Sequence, residues 1–261
     1  MNQALKEHFI GRIDAEGLVR EFGSPLYIYD ERTLRERIRE LVNLLPYPWF
    51  SVSCSIKANS NLHLLEIVRE EGMEADAMSP GEIYLLEKAG FEASKIFYIG
   101  NNVSAEEMKY ALDRGILVSV DSLSQLELLG RINPGGRVAL RFNPGNGAGH
   151  HEKVITAGKN TKFAIQEDLL EDARAIAQKY GLKVVGINQH IGSLYMDAKP
   201  FLDSVKALLR IASKFENLEF VDFGGGFGIP YRKFQGEGRL DLKALAEQLA
   251  PVLIEFREKY G

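Results

Sequence analysis

Two short stretches of the 261-residue chain put a reactive side chain where the backbone pattern changes. In "FSVSCSIKANSN" (50–61), Lys57 closes an alternating run. Strand side chains alternate between faces with a period of two. Phe50, Val52, Cys54 and Ile56 therefore share one face, and Ser51, Ser53, Ser55 and Lys57 share the other. A lysine above small residues has room for a ligand. In a partly desolvated mouth its charged form is disfavoured, and a neutral amine can form a Schiff base. The competing reading is a lysine that carries its ammonium out to solvent. In "NQHIGS" (188–193), His190 ends a second strand and is followed by Gly192 and Ser193. That imidazole can stack on a flat ring, donate a proton, or serve as a hydrogen-bonded structural residue.

A third stretch, "VDFGGGFGIPY" (221–231), places Gly224, Gly225 and Gly226 straight after a strand. Glycines let backbone N–H groups approach an anion closely. A dinucleotide fingerprint fits poorly, because no third glycine follows at the required spacing and Pro230 stands where a helix should begin. A phosphate cradle and a simple glycine-rich turn remain open. His150, His151 and Glu152 in "GHHEK" invite a metal reading, but adjacent histidines diverge and no helical i,i+4 pair supports it, so no metal site is expected. Cys54 has the parity of core packing rather than of a nucleophile.

These residues need elements to hold them. Strands are expected over 25–30, 50–56, 73–78, 95–100, 116–121, 137–144 and 218–226, and 183–193 is expected to hold a strand and its exit loop. Helices are expected over 31–44, 61–71, 80–89, 104–115, 122–130, 167–180, 198–214 and 241–259, with a long polar loop from about 145 to 163. Ser104 and Glu107 form a capping-box pattern, and Gly181 is placed to end a helix. Alternating strands and helices imply parallel βαβ units, and this many favours an α/β (β/α)8-type TIM barrel over an open sheet. Chemistry in such barrels gathers at the carboxyl ends of the strands. Lys57, Asp76, Asn101, Asp121, Arg141, His190 and Gly224 to Gly226 all fall there.

Composition narrows the classes. Charged residues make up 26% and the net charge is −4, so nothing favours a nucleic acid or an anionic membrane surface as partner. A single cysteine rules out an internal disulfide framework and suits a reducing compartment, the cytoplasm. The N-terminal stretch has no long apolar core of a secretory signal, and no apolar run approaches a membrane span.

A lysine, a ring-facing histidine and a phosphate loop together suggest pyridoxal 5'-phosphate. The segments "SIKANSN", "DAMSPGE", "LRFNP", "HIGS" and "DFGGGFGIPY" resemble, in order and spacing, those of the fold-type III pyridoxal-phosphate-dependent decarboxylases. The loop "GAGHHEKVITAGKNTKFAI" (147–165) is most similar to the diaminopimelate decarboxylase branch. The resemblance covers about residues 24 to 261. It implies an alanine racemase-like barrel over 31–261, with residues 1–30 holding a strand that joins a second, β-rich domain. By position, Lys57 matches the family's Schiff-base lysine and His190 the residue stacked on the pyridine ring. Ser193, Gly224, Gly225 and Gly226 match the phosphate site, and Asp76, Glu82 and Arg141 the polar shell around them.

The implied activity is decarboxylation of a small-molecule amino acid, meso-2,6-diaminopimelate to L-lysine, by a homodimeric enzyme. A related decarboxylase of another amino acid or of a carrier-bound substrate is the first alternative. A non-catalytic pyridoxal-phosphate homeostasis protein is the second. Ala164, Ala157 and Val103 depart from the family pattern near the barrel mouth and bear on the substrate. Family chains continue for over a hundred residues into the β domain. Their eighth barrel strand, whose glutamate pairs with the pyridinium nitrogen, aligns just beyond Gly261. The expectation is therefore a barrel of seven strands, truncated before its last, that is inactive or nearly so in isolation.

Overall fold

Alternation of short β-branched runs with amphipathic helices produces a parallel sheet covered by helices. The computed structural model describes residues 9–143, 145, 162–232 and 235–260. The strands are β1 (Ser53–Ser55), β2 (Glu74–Ala77), β3 (Ile96–Tyr98), β4 (Leu117–Val120), β5 (Arg137–Asn143), β6 (Ile165–Gln166), β7 (Lys183–Asn188) and β8 (Phe220–Asp222). The helices are α1 (Ala15–Phe22), α2 (Glu31–Val42), α3 (Leu62–Glu70), α4 (Pro80–Lys88), α5 (Ala105–Leu112), α6 (Leu123–Ile132), α7 (Leu170–Tyr180), α8 (Ala198–Ala212) and α9 (Leu242–Tyr260). Pairing runs β1-β2-β3-β4-β5-β7-β8, all parallel, with β6 added beside β5.

The sheet curls, and chords across its interior prove it. The Phe97 and Phe220 rings meet edge to face at 5.4 Å, although β4, β5 and β7 lie between their strands. Ser119 Oγ donates to Asn188 Oδ1 at 2.7 Å, skipping β5. Gly186 leaves space for that interior, since a Cβ there would sit 2.2 Å from the Phe220 ring. Among the described residues β1 and β8 each keep one unpaired edge, so the barrel is open there, as expected from a count of seven.

Outside the sheet, Ile83, Leu86, Met108, Leu126 and Leu129 pack with strand residues Ala75, Tyr98, Val118 and Leu140 in one large core. Serine caps start the helices that feed it. Ser79, Ser104 and Ser122 accept from the amides of Glu82, Glu107 and Gln125, and Ser104 and Glu107 complete the expected capping box. Each such cap contributes about 1 kcal/mol. Gly181 ends α7 at φ +64 as foreseen, a conformation that favours glycine.

Several expectations need correction. "PLYIYD" (25–30) forms no ladder: it pairs with neither of the open edges, β1 and β8, and a strand exists only where it is paired. Its Tyr27 is 85% exposed, and α1 before it buries nothing. The strand over 50–56 shrinks to Ser53–Ser55, and a 3₁₀ turn, Ile56–Ala58, takes its end. The strand within 183–193 ends at Asn188, so His190 lies in its exit loop and not at the strand end. Short β6 and helix α1 were not anticipated, the first being too brief for any periodicity to show. His150, His151, Glu152 and Ala157 lie outside the described residues.

Candidate active site

Register brings the polar groups together. Ser55 is level with Asp76 across β1 and β2, and Arg141, Asn188 and Asp222 are level across β5, β7 and β8. Because Asn188 bonds Ser119 across the interior, Arg141 and Asp222 share the inward face with it. Of these groups, Asp76 and Arg141 were expected from the sequence at the carboxyl ends of their strands, and the structure places them there.

Lys57 lies on the 3₁₀ turn just past β1. It is exposed rather than in a desolvated mouth, because β1 is an open edge strand that solvent reaches. Its charge nevertheless acts on both Asp76 and His190. Asp76 accepts from Ser55 Oγ at 2.9 Å, and burial holds its carboxyl above the ordinary range. Glu82 sits one step behind: its Oε2 accepts from Met78 N at 2.7 Å and so caps α4, while its charge reaches Asp76. Tyr29 of the N-terminal segment touches the same rim, its hydroxyl accepting from Asn59 Nδ2 at 3.0 Å.

Arg141 is only 6% exposed. Its Nη1 donates to Asn101 Oδ1 at 3.1 Å, and Asn101 Nδ2 donates to Asp121 Oδ2 at 2.7 Å. Its guanidinium lies 5.5 Å from the Phe163 ring centre, and its buried Nε has no hydrogen-bond partner among the described residues. His190 is half-buried. Burial, with the charges of Lys57 and Arg141, pushes its imidazole down to about 4, so it is neutral at pH 7.

The glycine loop is shaped by its neighbour, the 191–195 loop after β7. Gly224 (φ +69) and Gly226 (φ +108) sit so close to it that a Cβ would lie 2.3 Å from Gln189 O and 2.1 Å from Gly192 O. Tyr195 N donates to Gly226 O at 3.2 Å, and Gly228 N donates to Tyr195 O at 2.8 Å. The Gly224 amide is already used, donating to Asp222 Oδ1 at 2.8 Å. Gly225 faces open space, and no described residue accepts from the amides of Gly225 or Gly226. Ser193 stands half-buried in the facing loop.

Asp222 and Gln189 escaped the sequence reading. Burial pushes the Asp222 carboxyl up to about 6, with Asp76 adding to the rise and Arg141 opposing it. Gln189 is buried and donates to Ser204 Oγ at 3.1 Å and Phe223 O at 3.3 Å. Asp222 had a visible signal, a carboxylate two residues before a glycine whose amide it can cap. Gln189 had none, since its partners are distant in sequence. Cys54 faces the core as expected, and burial pushes its thiol up to about 11.

Comparison with known proteins gives this geometry a family. The family model described as "Pyridoxal-dependent decarboxylase, pyridoxal binding domain" matches residues 31–260. Diaminopimelate decarboxylase of Methanothermobacter thermautotrophicus is 42% identical over 260 residues, which cover 97% of this chain and 60% of that protein. The Archaeoglobus fulgidus diaminopimelate decarboxylase is 35% identical, over 90% of this chain and 57% of that one. The crystal structure of diaminopimelate decarboxylase from Helicobacter pylori complexed with L-lysine superposes with a TM-score of 0.84 at 28% identity, covering 92% of this chain and 63% of that one. The chain thus spans about 60% of the length of the curated relatives it matches. With the matched region running through the open barrel, its strand-end lysine and its glycine loop, the chain belongs to the pyridoxal-binding-domain family of the pyridoxal-dependent decarboxylases.

Proposed function

We propose that this chain is the cofactor-binding barrel of a decarboxylase that converts meso-2,6-diaminopimelate to L-lysine. The observation that carries the reading is convergence: Lys57, neutral His190, buried Arg141 and the open backbone at Gly225 meet at one end of one curled sheet. The substrate assignment is supported by the 42% identity to a diaminopimelate decarboxylase and by the lysine held in the Helicobacter pylori neighbour.

The residues present fit pyridoxal phosphate. A Cβ-free Gly225 leaves a cradle beside two amides that bond to no described residue, suited to a phosphate oxygen. Arg141 keeps a buried donor at Nε that no described residue uses. Lys57 Nζ would meet the aldehyde carbon. His190, uncharged at neutral pH, would lay a flat face on the pyridine ring. Ser193, Gly225 and Gly226 would hold the phosphate, while Gly224 acts on the fold by closing the Asp222 turn. Asp76 and Arg141 would set opposing charges beside Lys57 and the ring. When bound, the cofactor supplies the electron sink that accepts the pair released as the carboxylate leaves as carbon dioxide. The lone cysteine supports a cytoplasmic setting. Among the described residues no helix is long and apolar enough to cross a membrane. The family resemblance supports a homodimer as the working assembly.

Pyridoxal phosphate, borohydride reduction and peptide mass analysis test the reading. Wild type should carry a pyridoxyl group on the peptide containing Lys57, and Lys57→Ala should carry none. Labelling of the mutant to the same extent elsewhere would overturn the lysine assignment. Carbon dioxide release from diaminopimelate is expected to be slow or absent for these 261 residues, because Lys57 stays open to water at an unpaired edge.

A further inference from the structure

Arg141 is the one buried cation among the described residues. A buried guanidinium is held by its neighbours rather than by water. Asn101 is the first neighbour and uses both ends of its amide, accepting from Arg141 Nη1 and donating to Asp121 Oδ2. Asp121 in turn meets Gln125, a buried residue of α6. With the Gln125 amide turned so that its nitrogen faces Asp121, it donates to Asp121 Oδ1 at 3.0 Å. Its oxygen then accepts from Asn102 N at 2.7 Å and Val103 N at 3.0 Å. Asn102 sits at φ +53, an unusual conformation for a residue other than glycine. Gln125 therefore clamps the loop after β3 and the carboxylate after β4 together. Arg141 on β5 hangs from the end of this chain of bonds.

We propose that Gln125, Asp121 and Asn101 are positioning residues that fix the Arg141 guanidinium among the strand ends, where His190 and a bound cofactor meet its charge. A role confined to stability would leave that charge in place. Arg141 lies on β5, level with Asn188, two residues before His190, and its charge acts on His190 together with that of Lys57. Asp121 and Gln125 are not among the groups acting directly on His190. Loosening them moves His190 only through Arg141. The inference rests on the cofactor-site reading for its purpose, but its test does not use the cofactor.

The test is a titration of His190 by NMR in cofactor-free protein. Arg141→Met should raise the His190 midpoint by roughly half a unit to one unit, since a nearby like charge is removed. Gln125→Leu changes no charge, yet should give most of the same rise. The double variant should match Arg141→Met alone, because the clamp has nothing left to hold. An unmoved midpoint in folded Gln125→Leu, or additive shifts in the double variant, overturns the inference. Should Gln125→Leu fail to fold, Asn101→Ser at the half-buried end of the relay is read by the same criteria. Absence of pyridoxal phosphate binding would defeat the functional reading and leave the titration result standing.

Discussion

Replacing Gly226 by alanine separates what the glycine loop does for the fold from what it does for a ligand. At φ +108 an L residue is strained, at a cost of about 1–3 kcal/mol. The added Cβ would also sit 2.1 Å from the Gly192 carbonyl oxygen, 3.0 Å from its carbon and 3.1 Å from Tyr195 Cε1. Ordinary contact begins at 3.4 Å, so the loops must part by about 1.3 Å. The Tyr195 to Gly226 bond, already 3.2 Å, does not survive that, and the 2.8 Å bond from Gly228 to Tyr195 is strained with it. Each lost backbone bond is worth about 0.5–1.5 kcal/mol. The total is about 2–6 kcal/mol. Gly225→Ala is the control, since its Cβ meets nothing within 4 Å. Its stability should stay within about 1 kcal/mol of wild type, while its pyridoxal phosphate dissociation constant should rise at least about tenfold. Urea unfolding followed by circular dichroism measures the first quantity, and cofactor titration the second. A Gly226→Ala protein within about 1 kcal/mol of wild type would refute the packing argument. Unchanged cofactor affinity in Gly225→Ala would refute the cradle.

Asp222→Asn should stabilise the cofactor-free protein at pH 7 to 8 by up to about 3 kcal/mol and leave it nearly unchanged near pH 4. The sign follows from a carboxyl raised to about 6: the folded state holds the extra proton, so stability falls as pH rises from the unfolded value toward 6. An equal gain at both pH values would exclude that cause. His190 works in the opposite direction, since its imidazole is pushed down to about 4. Its stability is present above about 6.5 and lost as pH falls, so His190→Gln should flatten the acid side of the stability profile. Tyr98→Phe should raise stability by about 1 kcal/mol in the same unfolding assay, because the buried Tyr98 hydroxyl has no partner among the described residues. A loss on that substitution would reveal a hidden bond.

Much of the architecture follows from local pattern. Ser104 with Glu107 announces a helix start, Gly181 a helix end, and parity places Cys54 toward the core, opposite Ser55. These are legible because caps, turns and alternation act over a few residues. Lys57, His190 and the glycines could be picked out because each stands where a strand gives way to a loop. "PLYIYD" misled for the same reason. Its alternation is that of a strand, but strands are made by partners, and alternation says nothing about who those are.

The chain's sequence determined the order of elements, the kind of sheet and the residues with chemical capacity. Only the tertiary structure decided how they combine. It showed that Gly224 spends its amide on Asp222 while Gly225 stays open, and that Arg141 is held through Asn101 by residues of other strands. It showed Lys57 in water at an unpaired edge and His190 discharged by burial. Those outcomes depend on distances between segments far apart in the chain. Burial and charge act through space, so a residue's chemistry is settled by what packs against it.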